Sequence, residues 1–201
     1  MTQSAGSADI PVPHIVTVAG LKKSGKTRVV EALIVGLSAR GHRVGSVKTM
    51  EHAALSLDPE GTDTRRHADA GARVVVAVLA EEIVRFERTS SPRSMRRIAG
   101  LFPPETAYLV CEGMLDRDAR QVIVVCLRSM NELARTLESR GILRESVCAV
   151  SGVAAAGHAA GGHATRDLLE KEGFPVFDVS DAGQREALVD SVISAAESPR
   201  A

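Results

Sequence analysis

The chain has 201 residues, 44% of them hydrophobic, and its 25 basic and 25 acidic side chains cancel to a formal net charge of zero. That length suits one compact α/β domain with a sizeable core, and the balanced charge argues against nucleic acid as a partner, because neutralising phosphates needs a basic excess. No apolar run reaches the ~18 residues of a membrane-spanning helix, and three scattered cysteines without a CxxC pair predict buried thiols in a reducing cytoplasm rather than a zinc site.

Residues 1–13 lack the features of a signal peptide and are expected to be a flexible tail, followed by one nucleotide-binding domain over 14–198. "HIVTVAG" (14–20) predicts a buried strand. Residues 26–40 predict a helix, because Val29, Val30, Leu33, Ile34 and Leu37 recur on one face before Gly41. "RVGSVKT" (43–49) is a second strand. A polar stretch holding Pro59 and Gly61 leads to a short helix in "TDTRRHADAGA". "RVVVAVLA" (73–80) is a third strand, and "EEIVRFER" a further one at an edge. "SSPRSMRRIAGLF" opens like a helix with a serine cap and an early proline. "TAYLVCEG" (106–113) and "RQVIVVCLR" (120–128) are strands, "NELARTLESRG" is a helix, and "SVCAVSG" (146–152) and "FPVFDVS" (174–180) are strands. The last helix covers about 182–197. Continuous apolar strands alternating with amphipathic helices predict a three-layer fold, a mostly parallel sheet flanked by helices.

The first strand-to-helix turn carries the chemistry. Gly20, four residues, then Gly25, Lys26 and Thr27 form the GxxxxGK[ST] phosphate-binding loop, "GLKKSGKT", between a strand and a helix as its mechanism requires. The glycines let the backbone wrap a phosphate, and the helix N-terminus adds a positive field. Lys22, Lys23, Ser24 and Arg28 complete the nucleotide-binding set. Lys26 is expected to reach the β- and γ-phosphates and Thr27 to hold Mg²⁺.

Four of the five lysines, Lys22, Lys23, Lys26 and Lys48, fall within residues 22–48, whereas the chain has 20 arginines and positive charge outside that stretch is almost always arginine. For Lys22, Lys23 and Lys48, ligand contact and plain surface charge both remain open. A phosphate loop also needs a carboxylate at a nearby strand end, and Glu112 in "AYLVCEGM" is the best candidate by pattern. Asp63, Arg66 and His67 sit in a segment whose composition fits a switch region or a solvated helix cap. The guanine-reading NKxD pattern is absent, since Asn131 is the only asparagine. Ser151–Gly152 and Asp178–Asp181 are the candidates for contacting the base. His158 and His163, on an Ala/Gly-rich loop over 151–165, are candidates for a metal.

The order "AGLKKSGKT", "GHRVGSVKT", "DPEGTDTRRHADAGA", "YLVCEGM", "FPVFDVSD" resembles the MobB-type molybdopterin-guanine dinucleotide biosynthesis proteins over about residues 14–195. The segment Gly61, Asp63, Arg66, His67, Ala70, Gly71, Ala72 is its more telling part. The resemblance implies a P-loop domain that binds GTP with Mg²⁺, hydrolyses it weakly, forms a homodimer and assists a guanylyltransferase in molybdenum-cofactor synthesis. It implies catalytic roles for Lys26, Asp63 and Glu112, and a switch or pterin side at Lys48, Asp63, Arg66 and His67. The chain departs from the family pattern at Arg28, at Thr62 and in the shortened turn Thr49–His52. A small-molecule kinase and a GTPase metallochaperone are the alternatives, the second expected to show a Cys/His motif that the sequence lacks.

Overall fold

A computed structural model describes residues 12–50, 58–90, 94–156 and 162–198, with the backbone alone at 162–163. In chain order the elements are β1 (His14–Gly20), α1 (Lys26–Ala39), β2 (Val44–Lys48), α2 (Asp63–Asp69), β3 (Val74–Val78), β4 (Ile83–Glu87), α3 (Met95–Ala99), β5 (Tyr108–Glu112), β6 (Gln121–Cys126), α4 (Leu133–Arg140), β7 (Val147–Ser151), α5 (Gly162–Lys171) and α6 (Ala182–Glu197). They fall into two units, one made of Met1–Thr49 with Met95–Ala201 and the other of Met50–Ser94.

The larger unit holds a five-stranded sheet in the order β2-β5-β1-β6-β7, with every pairing parallel. β1, β5 and β6 are buried on both faces along most of their length, whereas the edge strand β2 leaves Ser46 and Lys48 exposed. Val16 and Val18 of β1, Tyr108 and Val110 of β5, and Val122 and Val124 of β6 point to one face, against Val29, Leu33 and Leu37 of α1 and Leu188, Val189 and Val192 of α6. The intervening residues point the other way. Ile123 and Val125 meet Leu133 of α4 and Leu169 of α5, while Ile15, Leu109 and Cys111 meet Met95 of α3. This is the expected three-layer arrangement. α1 ends where expected, with the Gly41 N–H donating to the Ser38 carbonyl at 2.9 Å.

Three expectations are corrected. β3 and β4 do not join the main sheet: they form their own antiparallel ribbon within the second unit, with Val76 opposite Arg85. The stretch 174–180 is not a strand beyond one parallel bridge, Val150 to Val176. Pro175 has no N–H to donate, and Asp178 then folds into a turn, accepting from the Ser180 N–H at 2.9 Å. The expected loop over 151–165 instead carries a 3₁₀ turn at Val153–Ala155 and the start of α5 at Gly162. The expected serine and proline start of the helix at α3 falls partly on residues 91–93, outside the described residues.

Candidate functional site

Because every strand of the main sheet runs the same way, the ends of β1, β2, β5, β6 and β7 open on one edge, where ligands bind in open α/β sheets. The phosphate-binding loop leaves β1 at Gly20. A Cβ there would lie 2.3 Å from the Cys126 carbonyl oxygen and 2.6 Å from the Ser24 Oγ, so no larger residue fits. Lys23 takes a left-handed conformation at φ 64°. Gly25 then stands at the N-cap of α1, which has no side-chain cap and no acidic residue in its first turn. The first amides of α1 therefore lack the usual capping oxygen and present partial positive charge. The Lys26 Nζ folds over this loop and donates to the Leu21 carbonyl at 2.7 Å. One of its three N–H bonds is used there.

Register brings the acidic group to the same place. Glu112 of β5 lies opposite Val18 of β1 on one side and Lys48 of β2 on the other. Its backbone is held too: the Thr49 N–H donates to the Glu112 carbonyl at 3.1 Å, and the Gly113 N–H to the Val18 carbonyl at 3.0 Å. The Thr27 hydroxyl donates to the Glu112 carboxylate at 3.1 and 3.3 Å. Lys48 Nζ lies 3.4 Å from the same carboxylate, which is only 14% exposed. A hydroxyl and a carboxylate side by side are hard oxygen donors, the set a magnesium ion takes. Beneath the loop, burial pushes the Cys126 thiol up to about 12, with Lys26 pulling it down and Glu112 pushing it further up. This cysteine is a core residue and not a nucleophile.

Thus Lys26, Thr27, Glu112 and Lys48 are brought together, with Ser24 fully buried behind them and Lys22, Lys23 and Arg28 exposed on the loop and first helical turn. Asp63, Arg66 and His67 lie on α2 in the second unit. Asp63 and Arg66 pair at 3.2 Å, but both side chains are about as exposed as on any surface helix, at 85% and 74%. The start of α2 is well organised: Thr62 caps it by accepting from the Arg65 N–H, and the buried Asp58 accepts from the Thr62 and Thr64 hydroxyls at 2.8 and 2.6 Å. At its other end, hydrogen bonds from Arg88 and Arg65 hold the Asp69 carboxyl below the usual range.

The expected base contacts fare differently. Ser151 is fully buried, and its hydroxyl donates inward to the Phe177 carbonyl at 2.7 Å, so its side chain faces the core. Asp181 caps α6 through the Gln184 N–H. His158 and the His163 side chain lie outside the described residues. Two contributors were not expected. Gly152 and Val153 back the phosphate loop, the Val153 N–H donating to the Ser24 carbonyl at 3.1 Å. Arg140, the last residue of α4, reaches the carbonyls of Gly20 and Gly113 at 3.4 Å each. A glycine just after a strand gave a partial signal for the first; nothing in the pattern "LESRG" marked the second.

Comparison with known proteins supplies the remaining finding. The chain superimposes on the crystal structure of Bacillus subtilis MobB with a TM-score of 0.63 at 24% identity, covering 89% of this chain and 98% of that one. It superimposes on a MobB homologue from Bacillus stearothermophilus with a TM-score of 0.54 at 20% identity, covering 90% and 98%. The molybdopterin-guanine dinucleotide biosynthesis adapter protein of Haemophilus influenzae is 33% identical over 93 residues, 46% of this chain and 52% of that protein. The chain therefore spans about half the length of that curated relative. The family model described as MobB, molybdopterin guanine dinucleotide synthesis protein B, matches residues 15–149. A family model that matches more than half of the chain, with a fold shared with solved MobB structures, makes the chain a member of the MobB family.

Proposed function

We propose that this protein binds GTP with Mg²⁺ at the Gly20–Arg28 loop, hydrolyses it slowly, and serves as an accessory protein in attaching GMP to molybdopterin. One observation carries the nucleotide reading: the uncapped α1 N-terminus and Lys26 stand beside a Thr27–Glu112 pair at the carboxyl edge of a parallel sheet. Family membership carries the pathway. Work with a guanylyltransferase, as a homodimer, belongs to the same reading and rests on the family resemblance alone.

Each residue has a part. The loop amides and Lys26 bind the phosphates, and Lys22 and Lys23 add positive field at the rim. Thr27 and Glu112 are the residues that would hold Mg²⁺. When bound, the ion neutralises charge on the β- and γ-oxygens. Lys48 orients the Glu112 carboxylate from the β2 side and offsets its charge. Asp63, Arg66 and His67 belong to a segment that responds to the γ-phosphate, as switch segments do.

Calorimetry with GTP and ATP, in Mg²⁺ and in EDTA, tests this. Lys26→Ala removes a charged contact worth about 1.5–3 kcal/mol, or roughly 10- to 150-fold in affinity. Glu112→Gln keeps the EDTA affinity and loses most of the gain that Mg²⁺ brings. Unchanged affinity in Lys26→Ala would remove the phosphate-loop assignment. Fast phosphoryl transfer from ATP to a small acceptor, with no protein partner present, would replace the accessory role with a kinase.

A further inference from the structure

Arg140 closes α4, where a basic side chain would ordinarily bond the last carbonyls of its own helix. Instead its guanidinium leaves α4 and spans two strand ends. One nitrogen donates to the Gly20 carbonyl and another to the Gly113 carbonyl, both at 3.4 Å. Gly20 is the first residue of the phosphate-binding loop, and Gly113 directly follows Glu112. The two carbonyls belong to neighbouring strands, paired in register at Val18 and Glu112. One planar fork thus touches the piece of backbone that launches the phosphate loop and the piece that carries the carboxylate.

We propose that Arg140 is a positioning residue: it fixes the spacing between the phosphate-binding loop and Glu112, so that Thr27 and the carboxylate meet one Mg²⁺ together. The inference rests on the nucleotide–Mg²⁺ reading above. The physical argument has three parts. Peptide planes are rigid and trans, so holding the Gly20 carbonyl on one side turns the Leu21 N–H to the other. The Glu112 strand end is already tied to β2 through the Thr49 N–H and to β1 through the Gly113 N–H; Arg140 adds the tie from α4 to the carbonyl just beyond it. Finally, only a forked guanidinium reaches two carbonyls at once, whereas a lysine ammonium on a single stem serves as a point donor.

The test measures GTP binding in EDTA and across an Mg²⁺ titration for wild type, Arg140→Met and Arg140→Lys, with a thermal melt of each. Methionine keeps the apolar stem and removes the bonds to Gly20 and Gly113. Outer partners of metal ligands typically contribute 10- to 100-fold in metal affinity, so Arg140→Met should raise the Mg²⁺ needed for half-maximal binding about tenfold. Its EDTA affinity should fall much less than its Mg²⁺-supported affinity, its melting temperature should stay near wild type, and Arg140→Lys should fall between wild type and Arg140→Met. An unchanged Mg²⁺ midpoint in Arg140→Met overturns the proposal. So does an equal loss in EDTA and in Mg²⁺, which would mean general scaffolding. If Arg140→Met fails to fold, Arg140→Lys decides by the same comparison. A wild-type protein that binds no GTP sinks the nucleotide reading itself, and is told apart because no variant is needed to see it.

Discussion

At the scale of single residues, the site depends on atoms that approach too closely for a side chain. Gly152, in the left-handed region at φ 92°, is the sharpest case: a Cβ there would stand 2.2 Å from the Ser24 carbonyl oxygen and 3.0 Å from that of Leu127. Neither backbone can give way without moving the phosphate loop. Gly152→Ala should therefore cost about 1–3 kcal/mol of backbone strain and also displace the loop, weakening GTP binding at least about tenfold by calorimetry. Gly41→Ala is the control, since Gly41 has φ 82° but a Cβ there meets nothing within 4 Å. If both variants bind GTP alike, the close approach at Gly152 is not what supports the loop. The loop motif and Glu112 were legible in the sequence because spacing encodes them: a glycine-rich turn after an apolar strand, and an acid at the end of another. Arg140 was not, and Gly152 stood out only as a candidate base contact, because their work is done on backbone atoms more than a hundred residues away along the chain, Ser24 and Gly20.

At the scale of elements, α1 and α6 pack on one sheet face through Gly36. A Cβ on Gly36 would sit 2.5 Å from a Val189 methyl carbon, on a stiff β-branched side chain. Alanine gains about 1 kcal/mol of helix propensity over glycine, and overpacking costs about 1–3 kcal/mol, so Gly36→Ala should destabilise in urea unfolding. Adding Val189→Ala should recover part of the loss. Additive costs would place the strain elsewhere. α1, α6 and the central strands were legible because their periods are strong and long. β3 and β4 read correctly as strands, yet a string of valines does not say which sheet it joins: Val76 and Val78 are exposed at 53% and 77%, on a ribbon of its own. α5 hid behind an Ala/Gly-rich lead-in, where helix and loop signals cancel. In the 174–180 stretch, the apolar run promised a strand that Pro175 and the Asp178 turn do not deliver.

At the scale of the whole molecule, the core holds two fully buried thiols, Cys111 and Cys126, each pushed up to about 12 by burial. In the unfolded chain the same thiols ionise near 9. Below pH 9 both states keep the proton and stability is unaffected. As pH rises from 9 toward 12 the unfolded chain releases protons that the folded one retains, so stability falls by about 1.4 kcal/mol per pH unit for each thiol. Urea midpoints measured from pH 8 to 10.5 should drop more steeply for wild type than for Cys111→Ala/Cys126→Ala; parallel curves would show that another group governs alkaline unfolding. The sheet order has a temporal consequence as well. β1, at the centre, pairs Ile15 with Leu109 on one side and with Gln121 on the other, and β2 also waits for β5. A ribosome making this chain therefore releases the phosphate loop early but its scaffold late. Until residues 108–126 emerge, β1 has neither of its sheet neighbours, and its run of buried apolar side chains is exposed to whatever chaperones attend the nascent polypeptide.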